Sequence, residues 1–392
     1  MTTEVVQVIQ DLAVVLLAAA LVSALFRRLG LPTMIGFILA GIVLGPYTPP
    51  GSFLIHPDIL NLLAQIGIVF LFMFLGMEYP ISRLRSVGFM GFLIASTESL
   101  STFAAGFVIG TGLGLSTFNS LFLGLAVSVT SSIVLLSVFE ELGILREETA
   151  RLVMAVTVIE DVIVISTLGV LQSVASTGSL WAVATALSLG LVIAFIAGTL
   201  IVGSRILPRL VTAVAGYGRK DLFLLTVLAI GFGLSVLSSL IGISVAAGAF
   251  FAGVMVAESK AQAIANEAVT PLKELFGAIF FVSIGALMQV ELLPTYIVVI
   301  GAFLGVSLGM KFIVTYLVAR NRQLPPLAAR RAATAMAGPR GELSLVVAKG
   351  GADVSATSSF VLPVVGVITL ISSIATPFLV QLAWRPVRSQ SA

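Results

Sequence analysis

The 392-residue chain contains no cysteine and one histidine, His56. Disulfide scaffolds, thiolate-bound metals and histidine-rich metal centres are thereby excluded, and a histidine-based triad has a single candidate base in a short loop beside Pro57. Charge is scarce too. Asp, Glu, Lys and Arg make up 10% of the residues, against about 25% in an average soluble domain, too few to cover a water-facing surface. What fills the chain is apolar: 58% hydrophobic residues and a mean hydropathy of +1.16. This composition defines an all-α polytopic membrane protein with lipid as its surroundings. The formal net charge of +3 comes from basic residues placed between apolar runs. It reads as topology, so no nucleic acid is expected as a partner. The first run (5–26) lacks a basic leader and a small-residue cleavage site, and reads as a retained span.

A membrane-crossing helix needs about 20 mostly apolar residues. Thirteen segments qualify: 4–26, 32–46, 58–78, 87–113, 118–141, 148–173, 179–205, 219–239, 242–258, 267–289, 293–319, 327–350 and 357–384. The joints are short, and the chain stops soon after the last, so no regulatory domain is expected within it. With the N-terminus outside, eighteen Lys and Arg residues, from Arg27 and Arg28 to Arg385 and Arg388, fall on the cytoplasmic side. Lys349 alone falls outside, and Lys311 and Arg340 lie within spans. This asymmetry predicts a cytoplasmic C-terminus, and the protein is expected in the cell membrane.

An odd number of spans suggests two halves joined by one helix. GLPTMIGFILAGIVL (30–44) aligns with GISVAAGAFFAGVMV (242–256), pairing Gly30 with Gly242, Gly36 with Gly248 and Gly41 with Gly253; FLFMFLGM (70–77) aligns with IFFVSIGA (279–286), pairing Gly76 with Gly285. Spans 1–6 and 8–13 then form two inverted repeats of six, joined by span 7. Such repeats place a transport site at their interface, on helices interrupted at matching positions. Span 5 carries Thr130, Ser131 and Ser132 at its middle, and span 12 carries AGPRGE, with Gly338, Pro339 and Gly341 unable to hold a regular helix. Irregular backbone at membrane depth must line a cavity or be buried in protein. The plainer alternatives are an intact helix with back-bonding hydroxyls at 130–132 and a cytoplasmic loop at 338–342; the basic residues at 330–331 already mark the inner boundary and argue against the latter.

The charges inside spans are Glu98, Glu160, Asp161, Lys311, Arg340 and Glu342. Each costs roughly 2.5–3.5 kcal/mol near a bilayer centre on insertion scales, so six of them mark a functional site. A carboxyl shielded from water can exchange protons in the neutral range, and once ionised it is a hard oxygen ligand for a small cation. Competition of proton and cation for one site is the basis of antiport. Structural alternatives exist: Glu160 and Asp161 as ion-pair partners of Lys311 and Arg340, and Arg340 as a rigid fork tying the broken helices through Glu98 or Glu342. Glycines 106, 110 and 114 form a ridge on span 4, expected to pack inside the core.

LGLPTMIGFILAGIVLGP, FLFMFLGME, the Thr-Ser-Ser break, IEDV, Lys311 in LGMKF and AGPRGELSLVVA together resemble the cation/proton antiporter-2 family, which includes NapA-type sodium/proton and Kef-type potassium/proton antiporters. The resemblance runs through nearly the whole chain. It implies a thirteen-helix fold with two crossed broken helices in a six-helix transport core (86–175 and 291–385). It also implies a dimerisation domain (1–85 and 215–290), a linker helix (176–210), a homodimer and an elevator-like movement. Asp161 matches the essential ion- and proton-binding aspartate, and Lys311 the core lysine that pairs with the acid before it. Thr130 and Ser131 match the first break, Arg340 and Glu342 the second. Glu160 departs from the pattern, which has Asp in NapA-type and Gln in Kef-type proteins. Both Na+ and K+ stay open as cargo, and a second acid leans toward two protons per cation. Glu98 has no counterpart in the pattern and is expected to partner Arg340. No cofactor is implied beyond the transported cation and H+.

A channel would need a continuous pore ringed by carbonyls or charges; no TVGYG-like filter occurs, though a K+ efflux mode stays open. A Na+-coupled organic-anion symporter could use a related core. An intramembrane aspartyl protease would want a GxGD motif, which is absent.

Overall fold

The computed structural model describes residues 3–28, 33–48, 57–78, 88–177, 190, 194–195, 197–241 and 245–384. Most of the expected linker span 179–205 lies outside the described residues, as do His56, Gly30, Gly242, Arg83, Arg85, Arg385 and Arg388. The described residues are helical, with no strand. In chain order the helices are α1 (Thr3–Arg28), α2 (Thr33–Leu44), α3 (Pro57–Glu78), α4 (Gly88–Gly112), α5 (Thr117–Val127), α6 (Ser132–Glu141) and α7 (Glu148–Thr177). After a short π-helical turn (Thr199–Gly203) come α8 (Ser204–Ala215), α9 (Lys220–Leu240), α10 (Val245–Ala257), α11 (Gln262–Ala286), α12 (Ile297–Asn321), α13 (Pro326–Ala337), α14 (Glu342–Asp353) and α15 (Val361–Trp384). Among them eight stretches are long and apolar enough to cross a membrane, one of these being the broken pair Thr117–Glu141, and three shorter apolar helices accompany them.

Local chemistry sets the helix ends. Ser116 caps α5 by accepting from the Asn119 N–H at 3.3 Å, and α13 starts on a proline pair that needs no amide partner. At the end of α6, Gly143 takes φ +67° while Ile144 N–H donates to Phe139 O at 2.9 Å, a closure that a left-handed residue permits. Helix α8 has no counterpart among the expected spans. It is amphipathic, with Arg205, Ile206, Arg209 and Leu210 exposed and Pro208 and Val211 buried, and its alternation is too short to register as a crossing.

The chain divides into two compact units. The first comprises Met1–Ser86, Ile165–Leu293 and Lys349–Phe360. Within it α2 lies against α11, and α3 against both α10 and α11. Two crossings there are made by glycine alone. A Cβ added to Gly41 would sit 2.9 Å from Gly285 Cα and closer still to the Val282 carbonyl; one added to Gly76 would sit 3.0 Å from Gly253 Cα and strike the Phe250 carbonyl. The four glycines paired in sequence as Gly41/Gly253 and Gly76/Gly285 thus meet in space as Gly41 with Gly285 and Gly76 with Gly253. We expect Gly41→Val and Gly253→Val each to destabilise the protein by about 1–3 kcal/mol through overpacking against backbone. Gly277→Ala, where a Cβ meets nothing within 4 Å, should leave the melting temperature in detergent unchanged. Lys349, expected at the outer boundary, is in fact buried and ion-paired with Asp353 one turn on, beside the Gln172 amide that donates to Gly350 O at 3.0 Å.

The second unit comprises Val87–Val164, Pro294–Ala348 and Val361–Ala392. Helix α4 packs on α5 through Gly106, whose added Cβ would lie 2.6 Å from Gly124 Cα, and through Gly110 against Ser120. The expected ridge therefore packs in the core at 106 and 110. It stops before Gly114, which sits past the helix end at φ +78° with nothing around it. At one end of this unit Glu147 accepts from Trp384 Nε1 at 2.8 Å and from Arg331 at 3.3 Å, with the Arg331 guanidinium 5.3 Å from the Trp384 ring centre and Phe139 packed beside it. That cluster ties α13, the α6–α7 link and the end of α15 together.

Candidate functional site

Both expected breaks are real and they touch. Regular helix stops at Val127 and resumes at Ser132; it stops again at Ala337 and resumes at Glu342. Ser131 N–H donates to Pro339 O at 2.9 Å, so the two unwound segments hydrogen-bond directly. A Cβ on Gly341 would strike the Ser131 side chain, which is why this position of AGPRGE must be bare. Helix α15 braces the second break: Ser372 Oγ accepts from Arg340 N–H at 3.0 Å and Ser373 Oγ donates to Arg340 O at 2.8 Å.

Arg340 is fully buried. Its guanidinium donates to Val127 O (3.1 Å) and Val129 O (2.8 Å) from the first break, and to Met336 O (3.0 Å), Ala337 O (3.2 Å) and Gly338 O (3.5 Å) from the second. The free carbonyls at two half-helix C-termini, which carry partial negative charge, converge on one planar cation. The rigid fork expected of Arg340 is present, and its hydrogen bonds across the two breaks go to backbone carbonyls, while Glu98 is ion-paired with Lys311. A guanidinium fork can serve several carbonyls at once, so it bridges through backbone. Glu342 opens α14, where an acid suits the helix N-terminus, and is nearly buried.

The second charge cluster is centred on Lys311 of α12, which is 0% exposed. Its Nζ lies 2.6 Å from Glu98 Oε1, 3.1 Å from Glu160 Oε1 and 2.8 Å from Thr130 Oγ1. Glu160 Oε2 accepts from Thr130 N–H at 3.0 Å, and Thr130 Oγ1 donates to Met336 O at 3.2 Å. Thr102, one turn from Glu98 on α4, donates to Glu98 Oε1 at 3.3 Å. Thr130 therefore links the acid–lysine cluster to the crossed breaks. Asp161, adjacent to Glu160 on α7, is buried at 3% exposure, and Ser131 at 5%. Of the expected site residues, Glu98, Glu160, Lys311 and Thr130 form one bonded cluster, and Arg340 and Ser131 belong to the crossing beside it.

Sequence reading missed Thr102, Ser372 and Ser373, whose roles depend on which helices face them. It also passed over Asp11 of α1, 2% exposed, though an acid inside the first apolar run was there to be counted. Among the described residues no group of three or more His, Cys, Asp or Glu is placed to hold a metal ion.

Paired helix breaks around buried charge are an architecture shared by many secondary transporters, and solved structures of that kind share this fold. It matches the sodium proton antiporter MjNhaP1 from Methanocaldococcus jannaschii at pH 8 with a TM-score of 0.73 at 18% identity, covering 97% of this chain and 99% of that one. An electron-microscopy structure of MjNhaP1 matches with a TM-score of 0.58 at 19% identity, covering 97% and 95%. The chain belongs to the transmembrane sodium/hydrogen exchanger family, whose model matches residues 14–384. It is 29% identical over 313 residues to the putative cation/proton antiporter YbaL of Escherichia coli (strain K12), a match that takes in 78% of this chain and 56% of YbaL, so the chain spans about half the length of that relative.

Proposed function

We propose that the chain is a secondary active antiporter exchanging a monovalent cation, Na+ or K+, for protons by alternating access. Cation and proton compete for Asp161 and Glu160. The observation that carries this reading is the Glu160–Lys311–Thr130 cluster bonded onto the crossing of two broken helices. Four acids, Glu98, Glu160, Asp161 and Glu342, face two bases, Lys311 and Arg340. The excess of acid must be met by a cation or by protons before the site can pass through a low-dielectric barrier. Thr130 and Ser131 add hydroxyl and backbone oxygens to the two carboxylates as cation ligands. A second acid beside Asp161 leans toward two protons per cation, and hence electrogenic exchange, when both acids take part.

The second unit, holding every residue of the site, is the transport domain that moves elevator-fashion; the first is the dimerisation domain of a homodimer. Thirteen spans in two inverted repeats are supported by the reciprocal glycine crossings, since exchanging the halves turns Gly41–Gly285 into Gly253–Gly76. The eighteen-to-one basic asymmetry supports a cell-membrane protein with its N-terminus outside and C-terminus cytoplasmic.

The test is reconstitution into vesicles with an internal pH dye, adding Na+ or K+ with and without a voltage clamp. Cation-driven proton efflux with either ion is expected. Cation flux without proton counterflow, or unitary currents in a planar bilayer, would replace antiport with a channel.

A further inference from the structure

We infer that Glu98 is a positioning residue for Lys311: it is the permanent counter-ion that retains the lysine when a cation takes Glu160. This rests on the antiport reading above and assigns a specific task to an acid which that reading only counts in the charge balance.

An ammonium has three N–H donors and no more. In Lys311 all three are directed, to Glu98, Glu160 and Thr130, and the shortest contact, 2.6 Å, is to Glu98 rather than to Glu160. All three partners are buried, and Glu98 and Lys311 are both 0% exposed. The two acids are held differently. Glu98 comes from α4 and shares its bonded oxygen with Thr102 of the same helix; its other oxygen, Oε2, is buried with no hydrogen-bond partner. Glu160 comes from α7, adjacent to Asp161, and its second oxygen is bound to the backbone of the first break. Glu160 is thus the acid adjacent to Asp161 and tied to the first break, while Glu98 reaches the same nitrogen from a different helix and is bonded to neither.

When a cation draws Glu160 Oε1 into its coordination shell, Lys311 loses one of three bonds and keeps two. Its charge remains neutralised by Glu98, so the lysine is neither forced to give up its proton nor left as an unpaired buried cation, a state that is strongly disfavoured. Without Glu98 the cation must strip Lys311 of its only carboxylate, and Lys311 competes with it for Glu160.

The experiment measures cation binding by the rise in melting temperature of purified protein on titration with NaCl and KCl at alkaline pH, and the apparent KM and kcat of vesicle exchange beside it. Glu98→Gln should raise the apparent cation constant at least about tenfold, with the larger part in KM rather than kcat. Glu98→Asp, which keeps the charge, should recover most of that loss. In a Lys311→Gln background the further change Glu98→Gln should have no effect on cation affinity, because there is no ammonium left to hold. An unchanged constant in Glu98→Gln, or the same loss with and without Lys311, overturns the inference. If the single variant does not fold, the Lys311→Gln and Glu98→Gln/Lys311→Gln pair still decides: a weaker constant in the double variant refutes it. Failure of the antiport reading looks different, since wild-type protein would then bind cation without moving protons while the Glu98 comparison by melting temperature still stands.

Discussion

Asp161→Asn is expected to abolish cation-driven proton movement in proteoliposomes while leaving a folded protein. Asparagine matches aspartate in size, so the packing of a buried side chain is preserved. It carries neither a charge for the cation nor a proton to exchange. Removing one partner of a buried, hydrogen-bonded charge interaction costs about 3 kcal/mol, about a hundredfold in affinity. Exchange should therefore fall at least that far at every pH tested, whereas the melting temperature without added cation should stay within a few degrees of wild type. Transport at more than a tenth of the wild-type rate would remove Asp161 from the site. Loss of the folded protein would instead mark it as structural.

Arg340→Ala should have the opposite signature: the protein itself is expected to lose stability. Five carbonyls from two half-helix ends are directed at the fully buried guanidinium. Each buried acceptor left unsatisfied costs about 1–3 kcal/mol. Even if several recover helical partners by relaxing, the loss should exceed about 4 kcal/mol, a fall in melting temperature on the order of 10 °C. Arg340→Lys keeps the charge but not the planar fork, and can serve one break or the other; it should recover only part of the loss. If Arg340→Ala melts like wild type, the two breaks are held by the Ser131–Pro339, Ser372 and Ser373 bonds, and Arg340 has another purpose.

These two residues also mark what the sequence makes legible. Asp161 stands out because an acid in an apolar run is expensive and has to be explained. The breaks stand out because Gly338, Pro339 and Gly341 cannot propagate a helix, and the structure opens there. The partners of Arg340 leave no such trace. Every residue has a carbonyl, and only the tertiary crossing decides which carbonyls are free and convergent. Glu98 was misassigned for a related reason. Its bond to Lys311 depends on α4 facing α12, a contact no periodicity encodes. Helix α8 was missed because a short amphipathic turn between apolar runs has the composition of a loop.

The paired glycine crossings of the first unit have a mechanical corollary. Where main chain rests on main chain there are no rotamers to change and no methyl groups to slide past one another, so small adjustments have nothing to act through. Such a joint resists shear until whole helices part. Having two of them, Gly41 on Gly285 and Gly76 on Gly253, stiffens the unit like two rivets on one plate, and a bulky residue at one should leave the other intact but loosen the plate as a hinge.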